Sequence, residues 1–328
     1  MTDTRFDVTC IGNAIVDVIA SADDSFLADN EIIKGAMNLV DENRSNALYE
    51  RMPAGVEQSG GSAGNTAAGI ASLGGKAAYI GKVRDDQLGG IFAHDLRATG
   101  VHFGTPMATT GPSGLRWSGT TPMVTEDAQR SMNTYLGACV ELSPEDIDPE
   151  IIAASQVTYM EGYLFDPPKA KEAFRRASEI AHAAGRKVSM TLSDSFCVDR
   201  YRDEFRDFIT SHVDILFGNE DEIKSLYQVE NFDDAFQHLR GACETVALTR
   251  SEKGAVIVAG DEIHVLDAAP VEKVIDTTGA GDLYAAGFLF GYTNGRSLSE
   301  AHHIGAKAAA EIISHYGARP SRALKTLI

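Results

Sequence analysis

Four cysteines in 328 residues, Cys10, Cys139, Cys197 and Cys243, are too few and too scattered for a disulfide framework. They form no C-x-x-C pair and no paired-ligand spacing, so reduced, packed thiols are expected. Positive charge is scarce too: 29 Lys+Arg stand against 47 Asp+Glu, a net charge of −18. A surface this acidic repels phosphodiester backbones and anionic lipid, which makes nucleic acid and membranes poor partners. No apolar run reaches the roughly 18 residues of a membrane span, and residues 1–6 lack the basic start and apolar stretch of a secretory leader. The expected location is the cytoplasm. Internal repeats, low-complexity tracts and Pro-rich linkers are also missing. With 44% apolar and 23% charged residues, the chain can bury one large core across residues 1–328.

What is present is alternation. Val157-Thr-Tyr-Met160, Lys187-Val-Ser-Met-Thr-Leu192, Asp214-Ile-Leu-Phe217 and Thr245-Val-Ala-Leu-Thr249 read as strands, and the segments between them carry helical spacing. One helix starts at Pro167-Pro168, where proline suits a first turn, and ends before Gly185. This order predicts an α/β fold: a central, mostly parallel sheet flanked by helices, with ligands beyond the carboxyl ends of the strands. In the first half, Asp7-Val-Thr-Cys-Ile11 opens as a strand, a helix runs from near Gly64 to Leu73, and Ala77-Ala-Tyr-Ile80 follows as a strand. Residues 14–58 and 105–140 alternate apolar and polar without convincing helices and are expected to pair as a small β sheet. Towards the C-terminus, residues 283–292 look helical, and Ser297 with Glu300 forms a capping box for a last helix. His302-His303 inside it has no spaced carboxylate or Cys partners and reads as a packed or solvated pair, not a metal site.

Chemistry concentrates in a few places. In Thr278-Gly-Ala-Gly-Asp282, two glycines let amide hydrogens converge at a helix N-terminus, a device for holding an anion. Asp282 follows on the first turn, suited to take a proton from a hydroxyl attacking a phosphoryl group, or else simply to cap the helix. No G-x-x-x-x-G-K-[ST] is present, so ATP would need a site other than a Walker loop. Asn219-Glu-Asp-Glu222 follows a strand end and places an amide and a carboxylate three residues apart, either beside phosphates and a hydrated Mg²⁺ or as an ordinary N-cap. Gly60-Gly-Ser-Ala-Gly-Asn65 satisfies G-x-S-x-G, the nucleophile elbow of hydrolases with Ser62 as nucleophile, and equally a Gly-rich loop where a polyol meets the backbone and the Asn65 amide. Asn13 and Asp17 lie at and beyond the first strand's end, where a buried carboxylate could take two sugar hydroxyls or serve as a turn acid.

Gly60-Gly-Ser-Ala-Gly-Asn-Thr66, followed about two hundred residues later by Asp276-Thr-Thr-Gly-Ala-Gly-Asp282, resembles the two signatures of the ribokinase (PfkB) family of carbohydrate and nucleoside kinases. The likeness spans nearly the whole chain and includes Thr249-Arg-Ser-Glu-Lys-Gly254 and Gly317-Ala-Arg-Pro-Ser321. It implies a ribokinase-like fold with the pieces at 14–58 and 105–140 as its lid. By the resemblance, Asp282 is the base and the amides of Gly279, Ala280 and Gly281 are the anion hole. Asn13, Asp17, Gly61, Ser62 and Asn65 hold the substrate. Asn219 and Glu222 act on phosphate-bound Mg²⁺, Thr249 and Gly254 meet the ATP ribose, and Asp276, Thr278, Gly317 and Ser321 surround a K⁺ ion.

The stretch Glu126-Asp-Ala-Gln-Arg-Ser-Met132 is similar to the adenosine-kinase branch, where an Arg corresponding to Arg130 swings onto the transferring phosphate. Phe165 is placed to stack on a base. The resemblance thus implies ATP-dependent transfer to a primary hydroxyl, the 5′-OH of adenosine or a related nucleoside, with a free sugar such as ribose or fructose as the alternative. The resemblance leaves two assemblies open: two copies paired through exposed lid edges, as is common in the family, or a monomer, as adenosine kinases often are.

Overall fold

Short runs rich in Val, Ile and Thr become strands, because branched side chains pack on a pleated surface. A computed structural model describes residues 4–21, 23–32, 37–108, 114–120 and 130–328. Its strands are β1 (Phe6–Ile11), β2 (Ile15–Ser21), β3 (Met37–Leu39), β4 (Gly55–Ser59), β5 (Ala77–Ile80), β6 (His102–Phe103) and β7 (Gly114–Thr120). The series continues with β8 (Arg130–Tyr135), β9 (Ser155–Glu161), β10 (Lys187–Thr191), β11 (Ile215–Asn219), β12 (Thr245–Thr249), β13 (Ala255–Ala259) and β14 (Glu262–Leu266). Nine of them form one sheet in the order β14-β13-β12-β11-β10-β9-β1-β5-β6. Every pair from β12 to β6 is parallel, and only the β12-β13-β14 edge turns antiparallel. The expected mostly parallel sheet is therefore present.

Strand order reverses at β1, which has β5 on one side and β9 on the other, with Ile11 level with both Ile80 and Met160. A crevice opens at such a switch point, beyond the carboxyl ends of the strands. Side chains alternate between two cores along each strand. Cys10, Tyr159 and Phe217 join the helices Ser62–Ser72, Gln87–Ala98, Ala280–Thr293 and Leu298–Ile312 on one face. Ile11, Met160 and Leu216 join Pro168–Ala183, Ser195–His212, Glu220–Tyr227 and Phe232–Leu239 on the other. Helix Pro168–Ala183 has proline in its first turn and buries Ala170, Ala173, Phe174, Ala177 and Ala181, one stripe at helical spacing.

The remaining strands form a second sheet, β3-β8-β7-β2-β4, in which β2–β4 and β7–β8 are antiparallel while β2–β7 and β3–β8 are parallel. It is built from the two stretches expected to pair. The expectation that the first stretch lacks helices is corrected: Asp24–Asp29 and Glu42–Arg51 are helical, started by Asp23 and Asp41, whose carboxylates accept from the amides of Phe26 and Arg44. Of the second stretch, residues 109–113 and 121–129 lie outside the described residues, and with them most of the 126–132 motif.

Candidate active site

A cleft of about 360 Å³ opens at the switch point, between the strand ends of the large sheet and Ile15, Leu39 and Thr134 of the small one. Its far wall is the start of helix Ala280–Thr293. Gly279, the N-cap, has φ +79, a left-handed conformation that only glycine adopts without strain. The amide of Ala280, one of the three expected to hold the anion, donates to the Thr277 carbonyl at 3.2 Å; those of Gly281 and Asp282 follow in the first turn, at the positive end of the helix dipole, where amides lack an intrahelical partner. A Cβ on Gly281 would meet nothing within 4 Å, so the space before the cradle is open, room for an anion.

Asp282 sits one position further on. Its carboxylate accepts from Ser62 Oγ at 2.6 Å and from Asn65 Nδ2 at 2.8 Å. Both donors belong to helix Ser62–Ser72, which starts after Gly61 at φ +80; a Cβ there would strike the Asn13 carbonyl at 2.2 Å. Asn65 is buried, and its Oδ1 has no hydrogen-bond partner, an acceptor that a ligand hydroxyl would satisfy. No histidine lines the cleft among the described residues, and Ser62 gives its proton to an aspartate. The hydrolase reading, which needs a base of the Ser–His kind, is set aside.

Glu161 was not legible as a site residue. It ends β9 beside Asn13, is 1% exposed, and accepts from the amides of Asn13 at 2.8 Å and Ala63 at 2.7 Å. Burial pushes its carboxyl up to about 7, with the Asp282 charge adding to the rise and the two amides opposing it. The available signal was an acid directly after a buried apolar run, at the carboxyl end of a strand.

Opposite, Asn219 and Glu222 line the cleft and form a reciprocal capping box at the start of helix Glu220–Tyr227. Asn219 Oδ1 accepts from the Glu222 amide at 2.8 Å, and Glu222 accepts from the Asn219 amide at 2.9 Å and its side chain at 2.7 Å. Burial also pushes Glu222 up to about 7. The pair is thus an N-cap, one of the two readings open in the sequence, and it is an N-cap that lines the cleft. Thr249 lines the cleft as well.

Other expectations separate. Phe165, expected to stack on a base, is 2% exposed and packs flat on Phe205 at 4.1 Å between ring centres, inside the core. The 3₁₀ turn Gly162–Phe165 turns it inward, and Tyr163 lines the cleft instead. Gly254 is a hairpin glycine at φ +81 whose Cβ would strike the Leu266 carbonyl; it does not line the cleft. Asp17 is 1% exposed, lies under Gly60 and does not line the cleft either. Asp276 is buried and accepts from the amides of Thr278 at 3.0 Å and Gly317 at 3.1 Å, joining three of the four expected K⁺ residues. Ser321 donates to Glu311 instead, at 2.7 Å. Arg130 opens β8, and its side chain is not among those described. His302 is packed as expected, between the Tyr284 hydroxyl and the Asp267 carbonyl at 3.0 Å each. The four cysteines are unpaired, three of them buried. Among the described residues, no helix is long and apolar enough to cross a membrane.

The model of the pfkB family carbohydrate kinases matches residues 6–325. The chain belongs to that family, and it is a kinase. An adenosine kinase from Sinorhizobium meliloti is 57% identical, with a TM-score of 0.91 over 99% of this chain and 98% of that one. A probable sugar kinase from Rhizobium etli CFN 42 is 54% identical at the same TM-score, 0.91, and the same coverage of 99% and 98%. A 5-dehydro-2-deoxygluconokinase from Geobacillus thermodenitrificans is 27% identical over 82% of this chain and 81% of its own. Family membership carries the use of ATP and Mg²⁺ in phosphoryl transfer to a small molecule.

Proposed function

We propose that this kinase phosphorylates the 5′-OH of adenosine or a related nucleoside, with Asp282 as the base. The observation that carries the chemistry is contiguity. Within four residues the chain brings together the glycine turn proposed as the cradle for the migrating phosphoryl and, one position on, a carboxylate that the Ser62 and Asn65 side chains hold by direct hydrogen bonds. Asn13, Gly61 and Asn65 bind the sugar, and Thr249 sits by the nucleotide. Asn219 and Glu222 fit a hydrated Mg²⁺ on the donor phosphates, which neutralises charge on the transferring group when bound. Asp282 takes the hydroxyl proton as the oxygen attacks the phosphorus of ATP, and ADP leaves.

The nucleoside side of the proposal rests on Phe196. It lines the cleft with 60% of its surface exposed, while the Arg200 guanidinium covers one face of its ring at 4.7 Å. Arg200 is itself held by Asp166 at 2.9 Å. A rigid aromatic with one backed face and one open face suits a flat base. The Sinorhizobium adenosine kinase, at 57% identity, supports the same reading. A free sugar is the second reading, favoured by the polar inner end of the cleft at Asn13, Asn65 and Asp282. The small sheet is the closing element over the site, its edge strand β4 with exposed Val56 is where a second copy would pair, and a K⁺ ion near Asp276 supports the cradle.

The test is ADP release from MgATP with K⁺, across adenosine, guanosine, inosine, ribose and fructose, for wild type and Asp282→Asn. Adenosine-dependent release that drops about 10²–10⁴-fold in the variant supports both halves. Release with ribose or fructose alone overturns the nucleoside assignment, and an unimpaired variant overturns the base.

A further inference from the structure

Both walls of the cleft are fastened to one short loop, residues 317–321, behind the site. On one side, the Gly317 amide donates to Asp276 at 3.1 Å. A Cβ on Gly279 would stand only 3.0 Å from that of Ala318, so the loop packs directly against the turn that forms the cradle. On the other side, Arg319 Nη1 donates to the Gly64 carbonyl at 2.7 Å and Nη2 to Ser59 Oγ at 2.8 Å. Ser59 ends β4, and its hydroxyl and amide both donate to Asp95 Oδ2, at 2.6 and 2.7 Å. Its hydroxyl therefore bridges a carboxylate and a guanidinium. The segment held this way, residues 59–64, contains Ser62 and runs directly into Asn65, the two side chains that donate to Asp282.

We propose that Arg319 is a positioning residue for phosphoryl transfer, holding the acceptor wall in register with the phosphate cradle. A guanidinium presents its donors in a rigid planar fork, so it fixes the Gly64 and Ser59 oxygens relative to each other as well as to its own loop. Arg319 does not line the cleft; it borders a separate cavity of about 420 Å³ with Asp95, Ser72 and Arg322. Its Nε is buried without a hydrogen-bond partner, a destabilising feature that stability alone does not account for. Glu161 accepts from the amides of both Asn13 and Ala63, so without Arg319 the acceptor wall shifts as one piece: its sugar-binding groups stay together and binding is preserved, while the line between attacking oxygen and phosphorus is lost. Misplacement of about 1 Å by a change remote from the chemistry costs on the order of 10²-fold in rate.

The inference rests on phosphoryl transfer and not on which acceptor is used. Kinetics are run with adenosine, or with whichever of guanosine, inosine, ribose and fructose the wild type turns over best. Wild type that ignores adenosine and uses ribose overturns the nucleoside assignment and leaves this test intact. Arg319→Met lowers kcat by at least about ten-fold, with KM for acceptor and for MgATP each changed less than about three-fold. Arg319→Lys recovers part of the loss, and Arg322→Ala, an exposed arginine on the same cavity, matches wild type. A smaller fall in kcat, a fall shared with rising KM values, or an equal loss in Arg322→Ala overturns the proposal. Should Arg319→Met fail to fold by circular dichroism, Ser59→Ala, which removes only the bridging hydroxyl, is read by the same criteria.

Discussion

Glu161 makes stability and pH inseparable in this fold. Its carboxyl is 1% exposed and carries a folded-state pKa of about 7 against an ordinary 4.5. Below pH 4.5 it is protonated whether the chain is folded or not, and burial of its charge has no cost. Between 4.5 and 7 the unfolded chain releases the proton while the folded one keeps it, so stability falls as pH rises. Above 7 both forms are ionised and the loss is complete. The difference of about 2.5 pKa units, at about 1.4 kcal/mol each, gives a loss of about 3 kcal/mol between pH 4.5 and pH 8. Glu161→Gln cannot ionise, so it lacks this slope. It also keeps one carbonyl for two amides, those of Asn13 and Ala63, at a pH-independent cost of about 1–3 kcal/mol. The quantity to measure is thus a difference of differences. In urea unfolding at pH 5 and pH 8, the variant gains about 2–3 kcal/mol on wild type as pH rises, whatever its constant deficit. A gap that stays fixed between the two pH values, or widens against the variant at pH 8, refutes the argument, because Glu161 would then be ionised throughout.

Two further substitutions test the walls of the cleft. Phe196→Ala raises KM for adenosine by about ten-fold or more, the value of one base–aromatic stack, while turnover of any sugar acceptor is unchanged; equal effects on both would remove the base slot. Gly279→Ala forces a side chain into φ +79 and within 3.0 Å of the Ala318 Cβ, lowering stability by about 1–3 kcal/mol and kcat with it, as read by thermal melting and ADP release.

How far the sequence could be read depended on whether a residue's role was local. β12, Thr245–Thr249, and the Ser297–Glu300 box are local events, set by β-branched content and by a hydroxyl three residues before a carboxylate, and the structure has both where the pattern put them. Helix Glu42–Arg51 escaped because it buries only Ser45 and Leu48, too narrow an apolar stripe for a periodicity argument; Asp41, its cap, was the clue available. Phe165 failed for a different reason. Its distance from a strand end was correct for a cleft residue, but a single 3₁₀ turn decides which way the ring points, and six ångströms or less from Phe174, Phe205 and Phe208 it completes an aromatic cluster instead.

Glu161 and Arg319 show the limit most clearly, since each acts only through partners far away in sequence. Glu161 meets Asn13 and Ala63 across separations of 148 and 98 residues, and Arg319 meets Ser59 and Gly64 across 260 and 255. No spacing rule spans such distances; the crossover of the sheet at β1 brings the first pair together, and the return of the chain behind helix Ala280–Thr293 brings the second. Both converge on the start of helix Ser62–Ser72, Glu161 through the Ala63 amide and Arg319 through the Gly64 carbonyl. Adjacent residues of the turn that leads from Ser62 to Asn65 are therefore held by two buried groups, the Glu161 carboxyl and the Arg319 guanidinium. A helix start fixed in this way can keep two side chains on Asp282 without the substrate present, which is the preorganisation that transfer by positioning and charge stabilisation requires.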